Sequence, residues 1–374
     1  MNKPIGLYLH VPFCIKKCLY CDFYSVSELE KRADYVKALA RLIKESGKRL
    51  GRPLCDTVYF GGGTPSLLST DELYTLLDAV DSSFDLKAQQ ITLEANPKTT
   101  DLQRLKEMRA LGINRISLGI QSACDGELKT LGRLHNAEEA LSCARDVYEA
   151  GFERLSVDLM YALPDQDMAS VKQSLERILS LDPGHVSTYC LTLSDSSPLA
   201  KKALSYPDDC IQQQMYLYIC ERLEKAGINR YEISNFAKDG EESLHNLKYW
   251  SRDDVLGLGP GAYSLLQGRR FAFESNLNKF LNSTSEDMIC DLELITKEDA
   301  ANEYIMLSLR TVKGFQEKEF EALASRDRLR ELHRVLDKKL GLWINEGLAV
   351  KTPCGFTLTN KGAFVSNYII SDLI

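Results

Sequence analysis

The stretch IGLYLHVPFCIKKCLYCDF, residues 5–23, joins an apolar run to a loop that holds three cysteines. Its first seven residues are nearly all apolar, which is typical of a strand buried on both faces of a parallel sheet. Cys14, Cys18 and Cys21 then follow in a CxxxCxxC spacing. Soft thiolates select zinc, copper(I) or iron–sulfur clusters, so the stretch predicts a metal site at the end of the first strand.

Three cysteines are one fewer than the four protein ligands of most zinc and iron–sulfur sites. His10 could complete a zinc site, and Cys18 with Cys21 could form a redox CxxC pair. His10, however, lies within the strand run, and a thioredoxin-like CxxC normally opens a helix. A four-iron cluster held by three cysteines would instead leave one iron open to a small molecule.

Short apolar runs alternate with amphipathic helical patterns over residues 1–206. After the first strand, the runs cover residues 56–60, 90–95, 115–121, 154–162 and 185–191. Repeated strand–helix units form parallel strands with right-handed crossovers, so the pattern predicts an α/β fold, either an incomplete barrel or a doubly wound sheet. In both architectures, functional groups gather at the C-terminal ends of the strands.

The pattern changes after residue 206, which divides the chain into three predicted parts. Residues 1–206 form the strand–helix part, and residues 207–284 form a connecting region that contains the segment HNLKYW. Residues 285–374 are predicted to be a mainly helical domain. That domain ends in two short strands, LAVKT and FTLT, which is typical of a winged-helix-like hairpin.

Composition limits the partners and the location that we expect. Some winged-helix units bind DNA, but a formal net charge of −7 argues against a broad nucleic-acid surface. No apolar run approaches the length of a membrane span, and the first residues do not resemble a signal peptide. Eleven cysteines scattered over 374 residues do not resemble a disulfide framework. We therefore expect a cytoplasmic protein without a membrane span or a nucleic-acid partner.

Polar residues and a glycine-rich turn occupy the ends of the other predicted strands. YFGGGTPS, residues 59–66, follows the second run but lacks the lysine of a phosphate-binding loop. Glu94 ends the third run, Gln121 ends the fourth and Asp158 lies in the fifth, while Arg133 follows after a short helix. Together they predict one polar site at the mouth of the sheet. An acidic residue suits ribose hydroxyls, and Arg133 suits a carboxylate.

The CxxxCxxC loop after a first strand resembles the radical S-adenosylmethionine superfamily. The segments YLHVPFC, GGGTPS, LEANP, GIQS, LGR and DLMYALP also run in the order of the oxygen-independent coproporphyrinogen III oxidase family. The resemblance implies an incomplete (β/α)6 TIM-like barrel. It also implies a [4Fe-4S] cluster whose open iron binds S-adenosyl-L-methionine, and an electron donor to that cluster.

Carried over position by position, the resemblance implies two sets of site residues. The cluster would be held by Cys14, Cys18 and Cys21. S-adenosylmethionine would contact Tyr8, Tyr20, Gly62, Gly63, Thr64, Glu94, Gln121, Arg133 and Asp158.

Two features separate this chain from the oxidase pattern. The oxidase family has a further cysteine two residues after the third, where this chain has Phe23, and an N-terminal arm before its first strand. HNLKYW, residues 245–250, is instead similar to the HNxxYW signature of the haem-chaperone branch. That branch is expected to bind haem and pass it to acceptor proteins.

The resemblance therefore predicts a haem chaperone, with a porphyrinogen-decarboxylating oxidase of haem biosynthesis as the alternative. Whether the chain turns over a substrate stays open at this stage. His245 is the candidate axial ligand of haem, because imidazole is a common ligand of haem iron. The alternative for His245 is a buried, hydrogen-bonded histidine.

Overall fold

The computed structural model describes residues 3–195, 197–282 and 286–374. Its first six strands are parallel and lie side by side in chain order. They are β1 (Ile5–Val11), β2 (Leu54–Gly62), β3 (Asp85–Ala95), β4 (Arg115–Gln121), β5 (Arg154–Tyr161) and β6 (His185–Cys190). The helices that follow them are α1 (Arg32–Arg49), α2 (Thr70–Ser83), α3 (Leu102–Ala110), α4 (Asp125–Leu131), α5 (Ala137–Glu149), α6 (Met168–Leu179) and α7 (Asp209–Glu224). The predicted alternation of strands and helices is confirmed.

Residues 229–294, where the sequence showed no clear periodicity, extend this sheet at both sides. The added elements are β7 (Asn229–Arg230), β8 (Asn235–Ala237), α8 (Leu244–Trp250), β9 (Val255–Leu258), β10 (Tyr263–Leu266), β11 (Arg269–Phe273), α9 (Leu277–Asn282) and β12 (Ile289–Leu294). Strand β9 pairs in parallel with β1, and β8 pairs antiparallel with β6. The six parallel strands thus form an incomplete barrel, as predicted, because the two outer ones pair with added strands rather than with each other.

Capping residues mark where several helices begin, and glycines mark where others end. Ser69 accepts a hydrogen bond from the Glu72 amide at 3.2 Å and forms a capping box with it, and Asp101 caps α3. Gly112 and Gly151 follow α3 and α5 in the left-handed region, with φ of +95° and +89°. The main core lies between the sheet and these helices.

The last part of the chain has its own apolar core and a second sheet. Its elements are α10 (Lys297–Ser308), β13 (Phe315–Gln316), α11 (Glu317–Leu323), α12 (Arg326–Asn345), β14 (Ala349–Thr352), β15 (Gly355–Leu358), α13 (Asn360–Phe364) and α14 (Ser366–Ser371). Phe315, Phe320, Trp343 and Phe356 pack together in this core. The strands order as β13-β15-β14, so helices and a terminal hairpin form the winged-helix-like arrangement that was predicted.

The division into three parts stays a prediction. The predicted boundary between residues 284 and 285 lies outside the described residues. Strand β12, which falls in the predicted C-terminal part, pairs with β11 in the large sheet. Over the ranges that the structure describes, no helix is long and apolar enough to cross a membrane.

Candidate functional site

The three cysteines lie in the loop between β1 and α1, where each thiol is partly exposed. The Cys14 amide donates to the Val26 carbonyl at 2.9 Å, and the Cys21 amide donates to the Cys18 carbonyl at 3.3 Å. Burial raises the pKa of the Cys14 and Cys21 thiols, and the nearby thiol of Cys18 adds to both shifts. The three sulfur atoms are therefore close enough to interact electrostatically.

The donor set fits an iron–sulfur cluster better than a single zinc ion. Among the described residues, no three Cys, His, Asp or Glu side chains are close enough to hold one metal ion. A cluster binds each thiolate through a different iron, so it accepts thiolates that are farther apart. His10, the alternative fourth zinc ligand, uses both ring nitrogens elsewhere: Nδ1 lies 3.1 Å from the Tyr8 hydroxyl and Nε2 lies 3.0 Å from the Tyr24 carbonyl oxygen.

The glycine-rich turn after β2 lies directly beside the cysteine loop. The Thr64 amide donates to the Phe13 carbonyl at 2.8 Å. Gly62 has a φ of +109°, and a Cβ atom there would lie 2.5 Å from the His10 ring. A Cβ atom on Gly63 would lie 2.7 Å from the Phe13 carbonyl oxygen. Glycine at both positions lets the turn pack against the loop, because a side chain has no room there.

Arg133 joins the cysteine loop to the ends of the strands. Its Nη1 lies 3.5 Å from the Cys18 sulfur and 3.5 Å from the Tyr20 hydroxyl. Its Nη2 donates to the Gly119 carbonyl at 2.6 Å and to the Asn96 side chain. The guanidinium therefore places positive charge beside the thiols and keeps donors near the barrel mouth.

Asn96 is a site residue that the sequence argument missed. Its Nδ2 donates to Thr64 Oγ1 at 3.0 Å, and that hydroxyl lies 3.5 Å from the Cys14 sulfur. Its Oδ1 accepts from Arg133. Asn96 belongs to the segment LEANP, from which only the carboxylate was taken as a candidate. Its position just after a strand end was the signal that could have identified it.

Glu94 and Asp158 bring two carboxyl groups into the barrel. Glu94 accepts from the Tyr59 hydroxyl at 2.9 Å and from the Gly62 amide at 3.1 Å. Burial raises the pKa of Glu94 to about 7, and the neighbouring Asp158 contributes to this shift. Burial also raises the pKa of Asp158 to about 6, against hydrogen bonding from Ser187. Such carboxyls favour a ligand that brings hydroxyl donors or positive charge.

The side chains of Gln121 and Arg133 both lie close to Gly119. Gln121 ends β4 in the left-handed region, with a φ of +71°. A Cβ atom on Gly119 would lie 3.0 Å from Gln121 Nε2 and 3.2 Å from Arg133 Nη2. The small residue thus leaves space for both side chains, so the structure brings the polar candidates at the strand ends together around one mouth.

His245 lies on α8, on the inner side of the strands beside Thr57 and Tyr59, and is 1% exposed. Its Nδ1 lies 3.0 Å from Thr57 Oγ1, and its Nε2 lies 3.2 Å from the Tyr249 hydroxyl. The imidazole stacks on the Tyr59 ring with centroids 5.2 Å apart. Burial lowers the pKa of His245 to about 3, so the ring is neutral. In this arrangement His245 is a buried, hydrogen-bonded histidine.

A cavity of about 630 Å³ opens at the same mouth. Residues from β1, the cysteine loop, α8 and the segment after α8 line it: Tyr8, His10, Lys17, Asp22, Phe23, Tyr24, Tyr249, Gly261, Tyr263 and Ser275. Three aromatic side chains expose large surfaces: 68% for Phe23, 61% for Tyr263 and 43% for Tyr249. A volume of this size is typical of small-molecule and cofactor sites, and exposed rings suit a flat apolar ligand.

Comparison with known proteins gives matches to the sequence of the chain and to its fold. The profile of the Radical SAM superfamily matches residues 8–178. The chain is 35% identical over 327 residues to "Heme chaperone HemW" of Lactococcus lactis, covering 86% of this chain and 85% of that protein. It is 32% identical over 373 residues to "Heme chaperone HemW" of Bacillus subtilis, covering 97% of each.

Among solved structures, coproporphyrinogen III oxidase (HemN) from Escherichia coli, described as a Radical SAM enzyme, matches with a TM-score of 0.86. The match covers 100% of this chain and 90% of that chain, at 22% identity. At that identity the likeness shows the fold alone.

Proposed function

Because the chain belongs to the HemW family of haem chaperones within the Radical SAM superfamily, we propose that it binds haem and passes it to acceptor proteins. The observation that carries the proposal is the aromatic cavity beside the cysteine loop. HNLKYW, the segment that is similar to the haem-chaperone signature, supplies Tyr249 to its wall and His245 to the layer behind it. We propose that haem is the cargo of this cavity.

The cysteine loop would hold a [4Fe-4S] cluster through Cys14, Cys18 and Cys21. When bound, the cluster would supply an electron, which it would receive from a separate electron donor. The chain's part is to orient the thiols and to tune their charge. Thr64 Oγ1 and the Arg133 guanidinium, each 3.5 Å from a sulfur, would stabilise thiolates at Cys14 and Cys18.

S-adenosylmethionine would bind beside the loop, across the strand ends. The glycine-rich turn lets a ligand approach the backbone closely, and Glu94 and Asp158 suit ribose hydroxyls and a sulfonium charge. Arg133 offers guanidinium donors to a carboxylate. The proposed contact residues are Tyr8, Tyr20, Gly62, Gly63, Thr64, Glu94, Gln121, Arg133 and Asp158.

The cluster proposal is tested by iron and sulfide content after anaerobic reconstitution. Cys14→Ser, Cys18→Ser and Cys21→Ser are each expected to lose most of both, because each removes one of three thiolates. Cys210→Ser is the matched control, since Cys210 is an exposed cysteine on α7, outside the loop. Full iron and sulfide in all three loop variants would refute the assignment.

The haem proposal is tested against the oxidase alternative in one experiment. Reconstituted protein is mixed anaerobically with S-adenosylmethionine, a chemical reductant, and either haem or coproporphyrinogen III. Stoichiometric haem binding without loss of carbon dioxide from the porphyrinogen is expected. Mass spectrometry detects the decarboxylated porphyrinogen. Decarboxylation without haem binding would support the oxidase and refute the chaperone.

A further inference from the structure

We propose that the phenol oxygen of Tyr249, and not the imidazole of His245, is the protein ligand of haem iron in the barrel-mouth cavity. His245 is then a positioning residue that holds Tyr249 from behind. This inference rests on the proposed haem function and specifies the residue that binds the cargo.

The histidines of the chain are poorly placed to ligate iron in this cavity. Of the five histidines, His10, His135, His185 and His245 are buried. His333 is only partly buried, and it lies on α12 in the C-terminal part, 3.0 Å from Glu317. The two histidines at the mouth, His10 and His245, have hydrogen-bond partners for both ring nitrogens.

Ligation by His245 would carry a structural cost. Its imidazole would have to leave the Thr57 hydroxyl and the Tyr59 ring, on which it stacks. Breaking such a network leaves buried polar groups without partners, which destabilises a protein. A ligand that already faces the cavity avoids this rearrangement.

The ring of Tyr249 already lines the cavity, although burial and the neighbouring Glu94 raise the pKa of its phenol. Tyr249 exposes 43% of its surface, and its hydroxyl lies 3.2 Å from His245 Nε2. Tyrosine is a known axial ligand of haem iron. In the tautomer with hydrogen on Nε2, His245 donates to the phenolate oxygen while Nδ1 accepts from the Thr57 hydroxyl. When the phenol oxygen binds ferric iron, its proton goes to water, and no electron is transferred.

The other tyrosines of the cavity are less suited to ligate iron. Tyr8 and Tyr24 expose less of their rings than Tyr249 does, and the Tyr24 hydroxyl already accepts from the Leu277 amide at 2.7 Å. Tyr263 is exposed, but among the described residues it has no imidazole behind it. With iron on Tyr249, the rings of Phe23 and Tyr263 are available to the faces of the macrocycle.

The charged groups of the cavity bear on the haem propionates. Lys17 lines the cavity, and its Nζ donates to the Phe23 carbonyl at 3.0 Å. Asp22 lines it as well and brings negative charge. Lys17 is therefore the cation of this cavity that a propionate would contact.

The test is spectroscopic and uses ferric haem added to the reconstituted full chain. The wild-type complex is expected to show high-spin ferric electron paramagnetic resonance and iron–tyrosinate bands in resonance Raman spectra. Tyr249→Phe is expected to lose those bands and to release haem at least about tenfold faster, a change of about 1.4 kcal/mol. His245→Gln is expected to keep the bands with weaker haem affinity. Tyr74→Phe, which removes an exposed phenol on α2 outside the cavity, is the matched control.

The outcomes separate this inference from the proposed function. Absence of haem binding by the wild type would overturn both. Haem binding with an unchanged spectrum in Tyr249→Phe would overturn the inference and leave the function standing. Loss of the iron–tyrosinate bands in Tyr263→Phe alone would move the ligand to Tyr263. A low-spin imidazole spectrum that is lost in His245→Gln and kept in Tyr249→Phe would return the ligand to His245. Circular dichroism of each variant shows whether it has folded.

Discussion

Arg133 is the side chain through which the cysteine loop contacts the strand ends. Its two terminal nitrogens bond to Cys18 and Tyr20 on one side and to Gly119 and Asn96 on the other. A planar guanidinium can hold these partners at once because its donors form a rigid fork, whereas an ammonium is a single point charge. A ligand carboxylate at the mouth would compete for the same donors.

For this reason Arg133→Lys is expected to weaken binding of S-adenosylmethionine. The loss of a two-pronged contact predicts a fall in affinity of roughly tenfold or more. Isothermal titration of the reconstituted protein measures it, and iron content checks that the cluster is kept. Arg145→Lys, on the exposed face of α5, should bind like the wild type. Equal affinity in Arg133→Lys would show that the carboxylate binds elsewhere.

Glu94 predicts a pH dependence of the ligand-free protein. Burial raises the pKa of Glu94 to about 7, above its ordinary value of 4.5. The unfolded chain therefore releases this proton at lower pH than the folded chain, so stability falls as pH rises from about 4.5 through 7. The ionised Glu94 carboxylate is expected to lower the free energy of unfolding by about 3 kcal/mol at pH 8. Glu94→Gln should remove this loss of stability. Urea unfolding of both proteins at pH 5 and pH 8 tests this, and parallel pH profiles would contradict it.

At the scale of elements, the sequence predicted the strands whose buried residues form continuous apolar runs. Strands β1 and β4 lie in the middle of the sheet with almost every residue buried, so their apolar runs matched the observed bounds. Strand β3 begins five residues earlier than its run, because residues 85–89 alternate between polar and apolar and are all at least partly exposed. Strands β9 to β12 were not predicted, since they are short and β9 pairs with a strand far away in the chain.

In the candidate site too, contacts between residues far apart in the chain could not be predicted from the sequence. The cysteine loop and the strand-end residues could be predicted because each follows a strand whose end is fixed by the fold. The environment of His245 could not be predicted, because its partners Thr57 and Tyr59 are separated from it by most of the barrel sequence. Asn96 was missed because it lies one residue beyond the end of β3, where the carboxylate of Glu94 was taken as the candidate of that strand.

The turn after β2 predicts a sensitive element. Gly62 has a φ of +109°, and a Cβ atom there would lie 2.5 Å from the His10 ring. Gly62→Ala therefore combines backbone strain with a clash and is expected to destabilise the protein by about 2–4 kcal/mol. Urea unfolding measures the change. Gly126→Ala on α4 is the control, because no atom lies within 4 Å of its Cβ and alanine favours a helix. Equal stability of the two variants would refute the argument.

At the scale of the whole molecule, the C-terminal part is held to the barrel beside α8. Arg230 donates to Asn360 at 2.8 Å and to the Leu358 carbonyl at 3.0 Å. Arg252, which follows α8, pairs with Glu303 of α10 at 2.8 Å. The C-terminal part therefore contacts the chain directly after HNLKYW, and this contact helps to support the cavity.

Buried titratable groups are spread through both the barrel wall and the sheet. Burial lowers the pKa of His10 and His135 to about 4 and of His245 to about 3, and it lowers that of His185 well below its ordinary value. Each imidazole stays neutral in the folded chain while the unfolded chain takes up a proton below about pH 6.5. Their contribution to stability is present above that pH and is lost as pH falls.

Acidification from pH 6.5 to pH 5 is therefore expected to destabilise the ligand-free protein. Protonation of the four histidines in the unfolded chain lowers the stability of the protein in this window, whereas Glu94, Asp158 and Glu232, whose pKa values are raised by burial, oppose that loss. The balance predicts a net loss of about 2–4 kcal/mol and an uptake of about two protons on unfolding at pH 5.5. Urea unfolding across this range measures both. His135→Gln should reduce the proton uptake by about one, because burial lowers the pKa of its wild-type imidazole to about 4 in the folded chain. Stability that is flat or rises on acidification would mean that the carboxyls, not the histidines, dominate the titration of the fold.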